Sequence, residues 1–389
     1  MKRATLAVAT VAAALIGVVH GGAARAESPL GRPTTTATTS TVAEETAPAL
    51  ALPTPGGEHP IGVTELHLRD RGRADPWVPT SDRELMISLW YPATSPSARP
   101  APYMTAAESE EYTRSTGLGL PPGLFTTVET HATLDAPPVR SRSGLPLVIL
   151  SPGFGMPRAT LSGLAEELAG RGYAVAGIGH NYEAHGTTFP DGRTTSCVAC
   201  ANTDYSKVGA VRAQDVSLVI DELTGKRHRP ARKGGVTVDA DRVAMVGHSA
   251  GGFSFVPAML SDTRVKAAVN MDGKYRHLDE TPINRPVLML GVSGRVPGGQ
   301  DPTWDKTWKQ LTGWKRWLSV EGTQHLSFTD LAPLADQLGR PLQNTAGNRT
   351  DAITRAYVVS FVDAHLRGRC GHLLDGASEH FPEVRFHRP

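Results

Sequence analysis

From Leu145 onward the apolar positions of this chain fall into short, nearly unbroken runs: Leu145 to Leu150, Tyr173 to Gly177, Arg242 to Val246, Val265 to Met271, Pro286 to Gly291 and Arg316 to Val320. Runs of that length without polar alternation are how strands buried on both faces of a parallel sheet read. Between and after them lie helical patterns over Leu161 to Gly170, Lys207 to Thr224, Gly251 to Leu260, Thr303 to Trp314 and Thr350 to Leu366. Alternating strand and helix predicts an α/β fold, a doubly wound and mostly parallel sheet. Two earlier runs, Val63 to Leu68 and Glu84 to Tyr91, alternate apolar with polar residues and have no helix between them. They read as an antiparallel N-terminal edge, which brings the sheet to about eight strands.

The pattern changes before residue 61. Lys2 and Arg3 precede an uncharged apolar stretch from Ala4 to Val19, followed by Ala24-Arg25-Ala26. That is the layout of a secretory signal peptide cleaved after Ala26. The apolar stretch falls short of the roughly 20 residues needed to span a bilayer. Residues 27–60 are rich in Thr, Ala and Pro and are expected to form a disordered leader or linker. Residues 61–389 then form one catalytic domain, with no second linker and no internal repeat.

Charge removes one class of partner. The formal net charge is +2, and loss of Lys2, Arg3 and Arg25 with the signal peptide leaves −1. A near-neutral chain lacks the clustered cations that nucleic acid requires, and the short basic run from Lys226 to Lys233 reads as a solvated face. Three cysteines in an exported chain suggest one disulfide and one spare thiol. Cys197 and Cys200, with His180 and His185 nearby, have zinc-like spacing, but no second cysteine pair completes a structural site. A disulfide involving Cys370 is the plainer expectation, with its partner unassigned.

Gly247-His248-Ser249-Ala250-Gly251 spells Gly-x-Ser-x-Gly, the turn that lifts a serine hydroxyl above the end of a strand in α/β-hydrolases. Three fixed letters recur by chance in roughly a quarter of chains of this length and composition, so context decides. Here a β-rich run ends at the motif, and Gly251-Gly252-Phe253 opens a helix with small residues where helix and strand must approach. A serine hydroxyl needs a histidine to take its proton and a carboxylate to orient that histidine.

In this fold the chain order is Ser, acid, His. His277 follows the next strand too closely, His365 lies in the closing helix, and His372, His380 and His387 lie in a polar tail. His325 follows a strand by a short loop, where the base belongs. Two carboxylates compete for the remaining role. Asp272 ends the strand after the serine turn and is held by that strand, whereas Asp301 lies in a glycine-rich loop one strand later, the commoner location. For the oxyanion, backbone N–H groups are expected from Ala250 and from Phe154 in Ser151-Pro152-Gly153-Phe154-Gly155.

The pattern resembles the secreted platelet-activating factor acetylhydrolase family, a lipase-like branch of the α/β-hydrolases. The residues that carry the resemblance are the Gly-His-Ser-x-Gly-Gly turn at Gly247 to Gly252, the Asp-Gly at Asp272, and His325. Leu89-Trp90-Tyr91-Pro92 and the stretch Gly177 to Glu183 are further echoes, so that the likeness runs over residues 60 to 366. It implies Ser249, Asp272 and His325 as the catalytic set, with Phe154 and Ala250 as backbone donors. One departure is visible: Pro152 and Phe154 stand where the family's oxyanion loop has histidine and leucine, which bears on the acyl pocket.

The expected activity is hydrolysis of carboxylic esters without metal or cofactor, on short acyl groups of a lipid-like ester or other small-molecule ester. Leu118 to Phe125 is an apolar segment that could meet a lipid surface or be buried. A cutinase-like polyester or triglyceride hydrolase would use the same residues over a more open cleft. A catalytically silent scaffold used for binding is the reading from another class.

Overall fold

A computed structural model describes residues 50–389 except 202–203, 226–234, 277–278 and 370. The expected signal peptide, most of the expected leader and the basic run lie outside the described residues. The strands in chain order are β1 (Ile61–Ala74), β2 (Asp82–Pro92), β3 (Ala132–Leu134), β4 (Leu145–Ser151), β5 (Ala174–His180), β6 (Thr187–Thr188), β7 (Thr194–Thr195), β8 (Val238–His248), β9 (Val265–Met271), β10 (Val287–Val292), β11 (Lys315–Val320) and β12 (Val384–His387). The α-helices are α1 (Ala106–Thr116), α2 (Ser162–Gly170), α3 (Tyr205–Leu223), α4 (Ala250–Phe253), α5 (Phe255–Ser261), α6 (Pro302–Gln310), α7 (Leu331–Gln337) and α8 (Gly347–Arg367).

Ten strands form one sheet in the order β12-β11-β10-β9-β8-β4-β5-β2-β1-β3, with β6 and β7 paired apart. The block from β11 to β5 is parallel throughout. β2 joins β5 antiparallel and β1 joins β2 antiparallel, as the alternating early runs imply. This is the α/β-hydrolase fold. The two strands beyond the expected eight, β3 and β12, are three and four residues long, too short to show a period.

The uninterrupted runs have a direct cause. Along β4, Leu147 and Ile149 face one core while Val148 and Leu150 face the other, because successive side chains of a strand point to opposite sides. On one face α2 and α8 contribute Leu164, Leu168, Tyr357 and Phe361. On the other, α3, α5 and α6 contribute Val208, Val216, Phe255, Met259 and Trp304.

Three local differences from the sequence reading stand out. The helix expected over Gly251 to Leu260 is two short helices, α4 and α5, separated at Ser254, whose hydroxyl donates to the Ala250 carbonyl at 2.6 Å. Helix α1 carries few apolar residues, and its signal is instead a capping box between Thr105 and Glu108. The last residues assigned to the leader pack onto the domain. Leu50 and Leu52 are buried, and between them the chain pairs with Glu129, because two alternating leucines suffice to seat a strand-like segment. Among the described residues no helix is long and apolar enough to cross a membrane.

Candidate active site

Strand β8 delivers Ser249 at its C-terminal end. The backbone there turns sharply, with φ 53° and ψ −114° at Ser249. A left-handed conformation at a residue with a Cβ costs on the order of 1–3 kcal/mol and persists only where the surroundings enforce it. Here the enforcement is close packing through glycine: a Cβ on Gly251 would stand 1.8 Å from the Ser151 carbonyl oxygen, and one on Gly247 would stand 2.1 Å from the Gly251 backbone. The motif's two glycines thus let α4 start directly against β4 and β8.

His325 Nε2 lies 2.8 Å from Ser249 Oγ, and His325 Nδ1 lies 2.6 Å from Asp272 Oδ2. In that arrangement Nδ1–H donates to the carboxylate, leaving Nε2 to accept the serine proton. Asp272 also sits at positive φ, 55°, immediately after β9, and its own N–H donates to the Leu290 carbonyl of β10. Asp301 is drawn elsewhere: it caps α6 through Thr303 N and receives Arg295 Nη1. The structure therefore brings Ser249, Asp272 and His325 together and leaves Asp301 outside the set.

Burial tends to raise the Asp272 carboxyl, but hydrogen bonds and charge from His325 and Arg295 hold it below its ordinary value. It is an anion at neutral pH, as an orienting carboxylate must be. Half the surface of His325 is buried and half open to solvent, so an ester can reach the pair from outside.

Ala250 is the first residue of α4, so its N–H has no intrahelical acceptor. Opposite it, the amides of Gly155 and Met156 donate to the Glu183 and Gly153 carbonyls, and among the described residues the Phe154 amide has no protein acceptor. These are the two positions expected to donate to an oxyanion.

Beneath that loop lies a buried charge network for which the sequence reading had no signal. Arg212 of α3 donates to the Pro152 carbonyl at 2.5 Å and to Ser151 Oγ, and pairs with Glu183 at 2.8 Å. Ser151 Oγ meets His180 Nε2 at 2.9 Å, and His180 Nδ1 meets Asp215 at 2.9 Å. Arg83 and Arg73 hold Asp215 from the far side, and Arg83 also reaches Asp75. These ionic residues are scattered from β1 to α3, and only the fold assembles them. His248, the variable residue of the motif, is a second unanticipated partner: its Nε2 donates to the His325 carbonyl at 2.8 Å, tying the base's backbone to the nucleophile's strand.

Two further expectations meet the structure here. Cys197 and Cys200 are bridged to each other across a single turn, in place of a bridge to Cys370, because residues three apart there bring their Cα atoms to 5.3 Å. Cys370 lies outside the described residues. His185 Nε2 stands 3.4 Å from Cys200 Sγ, while His180 is engaged in the charge network, so the group around the pair is a disulfide packed on a histidine. The segment Leu118 to Phe125 divides: Leu124 and Phe125 are buried with Tyr103, Met104 and Met156, while Leu118 is 51% exposed.

Comparisons with known proteins find similarity to esterases. Residues 233–357, which include Ser249, Asp272 and His325, match the family model of platelet-activating factor acetylhydrolase, isoform II. A probable 1-alkyl-2-acetylglycerophosphocholine esterase of Arthroderma benhamiae is 25% identical over 62% of this chain and 66% of its own length. The platelet-activating factor acetylhydrolase of Canis lupus familiaris is 22% identical over 53% of this chain and 52% of its own length. The chain thus spans between half and two thirds of these relatives. A solved structure titled ferulic acid esterase from Streptomyces cinnamoneus superposes with a TM-score of 0.77 and 41% identity, over 87% of this chain and all of that one.

Proposed function

Since the chain belongs to the platelet-activating factor acetylhydrolase-like family of esterases, we propose that it hydrolyses carboxylic esters by attack of Ser249, with His325 as the base. The observation that carries this reading is the continuous hydrogen-bonded line from Ser249 Oγ through His325 to Asp272 at 2.8 and 2.6 Å. His325 takes the serine proton as the carbonyl is attacked and returns it to the leaving alcohol. Asp272 holds the ring and balances the imidazolium. The Phe154 and Ala250 amides receive the oxyanion, worth about 10²–10³ in kcat per donor in comparable sites. Water then repeats the cycle on the acyl-enzyme. A fluorophosphonate probe tests the chemistry: it labels Ser249 if the reading holds, and a folded, unlabelled protein refutes it in favour of a binding scaffold.

For the acyl group two classes compete. The family likeness favours short acyl groups on lipid-like esters, and exposed Leu118 offers one apolar point for an amphiphile. A different observation favours a flat aromatic acyl group. Phe154 rests edge-on against Tyr205 with centroids 5.5 Å apart, Tyr205 meets Phe253, and the Arg276 guanidinium lies over Tyr205. Partly exposed rings on the oxyanion loop and at the start of α3 suit stacking against an aromatic acid. The relative with 41% identity, a ferulic acid esterase, supports that choice. Methyl ferulate is expected to be turned over faster than a short-acyl phospholipid, and the reverse order would restore the lipid reading.

The N-terminal pattern, together with the Cys197–Cys200 bridge, supports export to an oxidising compartment. Intact mass of protein recovered from the culture medium tests it: a mature chain starting at Glu27 is expected, and retention of the full chain inside the cell contradicts it.

A further inference from the structure

Arg295 lies on the turn after β10 and reaches both carboxylates that the sequence offers as the acid. Its Nε donates to Asp272 Oδ1 at 2.8 Å and its Nη1 to Asp301 Oδ2 at 2.5 Å. All three side chains are largely buried, with exposures of 19%, 2% and 8% for Arg295, Asp272 and Asp301. Asp301 is itself fixed, because its other oxygen accepts from Thr303 N and Thr303 Oγ1 at the start of α6. The arginine's backbone is fixed as well: its N–H donates to Val292 and its carbonyl accepts Trp317 Nε1 at 2.7 Å. A Cβ on Gly291 would stand 2.5 Å from Arg295 Cγ, so glycine at that strand end lets the side chain lie across it.

We propose that Arg295 is a positioning residue for the esterase reaction, anchored by Asp301, which holds the Asp272 carboxylate in the one orientation that presents Oδ2 to His325. The inference rests on the catalytic reading above. A carboxylate at a strand end can rotate about its terminal bond. With Oδ1 held by Arg295, and by Val292 N at 3.3 Å, that rotation is blocked and Oδ2 is left for the imidazole. The fork of a guanidinium suits this task, since it satisfies two carboxylates from one rigid plane. Asp301 occupies the commoner place for the acid in this fold; here it anchors the arginine.

Behind His325 the charges alternate along one hydrogen-bonded line, the Asp272 anion, the Arg295 cation and the Asp301 anion, so removing either of the last two changes the charge behind the His325–Asp272 pair. From the serine turn, Ser249 and buried His248 also face the ring, the latter with centroids 4.7 Å apart. On α2, α7 and α8 the titratable groups are engaged elsewhere: Asp330, whose carboxyl burial pushes well above its usual range, accepts from Gly163 N, and Arg355 pairs with Asp351 and Glu167. Loss of Arg295 therefore moves the acid limb of the kcat/KM profile to higher pH, and loss of Asp301 moves it to lower pH.

The test uses the full chain with p-nitrophenyl acetate and three variants, Arg295→Gln, Arg295→Lys and Asp301→Asn, the last of which retains a capping side chain. Arg295→Gln is expected to lower kcat by about 10- to 100-fold with KM within about twofold, as small misplacements of a catalytic group do. Its acid limb should rise by about half to one pH unit, a displacement of the size expected for one partly screened charge. Arg295→Lys should return the limb toward that of the parent while recovering only part of kcat. Asp301→Asn should shift the limb the opposite way. If Arg295→Gln does not fold, the Asp301→Asn and Arg295→Lys limbs decide alone. Limbs that stay in place, or that move in the same direction for Arg295→Gln and Asp301→Asn, overturn the inference even where the rate falls. Ser249→Ala separates the two levels: retained turnover there refutes the catalytic reading, whereas an inactive Ser249→Ala with unmoved limbs refutes only the role of Arg295.

Discussion

Arg212 donates to the carbonyl of Pro152 at 2.5 Å while its other arm pairs with Glu183, so the loop bearing Phe154 is fastened from below by a cation with about 1% exposure. Neither group can be replaced by solvent at that depth. Truncating one partner of a buried ion pair strands the other, at a typical cost of about 3–5 kcal/mol. Arg212→Met is therefore expected to lower the unfolding free energy by that amount in urea titration, and to reduce kcat in whatever protein folds. A change below about 1 kcal/mol, the size typical of an exposed pair, would show that the network does not hold the loop.

Asp272 and Asp301 make a second comparison. Asp272→Asn keeps the shape but leaves the His325 ring without an anion, and in serine hydrolases the equivalent loss costs about 10⁴ in kcat. Asp301→Asn is expected to stay within about tenfold of the parent, since it acts through Arg295. Steady-state kinetics on p-nitrophenyl acetate measures both, and the opposite ranking would transfer the role to Asp301.

Much of this arrangement is legible in the sequence, and the reasons differ residue by residue. The central strands show because each is buried on both faces, and Ser249 and His325 show because each follows such a strand by a fixed turn. Asp272 against Asp301 is not decided by position, because both follow strands; the direction of each carboxylate depends on Arg295, which lies in a glycine-rich turn without periodicity. Arg83, Arg212, Glu183 and Asp215 are invisible for a related reason: ionic partners carry no pattern until β2, β5 and α3 are adjacent. Helix α1 escapes because its face is polar, and β12 because four residues hold no period.

Buried histidines give the protein a predictable response to acid. Burial pushes the His248 imidazole down to about 3, helped by His325 beside it, and burial with the Arg212 charge lowers His180. In the unfolded chain both take up protons near pH 6.5. The unfolded state thus binds more protons below that pH, so the stability from neutral burial is complete above about pH 6.5 and declines as pH falls. The expected slope is about 1.4 kcal/mol per pH unit for each histidine until its folded pKa is reached. Asp351, Asp330 and Glu166, whose carboxyls burial pushes up, act in the opposite sense over the same window, so the parent is compared with His248→Gln. Urea unfolding of both between pH 7 and pH 5 checks this: the variant should lose less stability on acidification by one histidine's share, and equal slopes contradict the buried neutral state of His248.

The central claim is that Ser249 is the nucleophile activated by His325. Intact-mass analysis after treatment with a fluorophosphonate, paired with kcat for Ser249→Ala, tests it most directly. The parent protein should gain one label, located on Ser249, while Ser249→Ala takes none and loses at least about 10⁴ in kcat, in line with nucleophile deletions in serine hydrolases. Labelling elsewhere, or ester hydrolysis retained by purified Ser249→Ala, would contradict it.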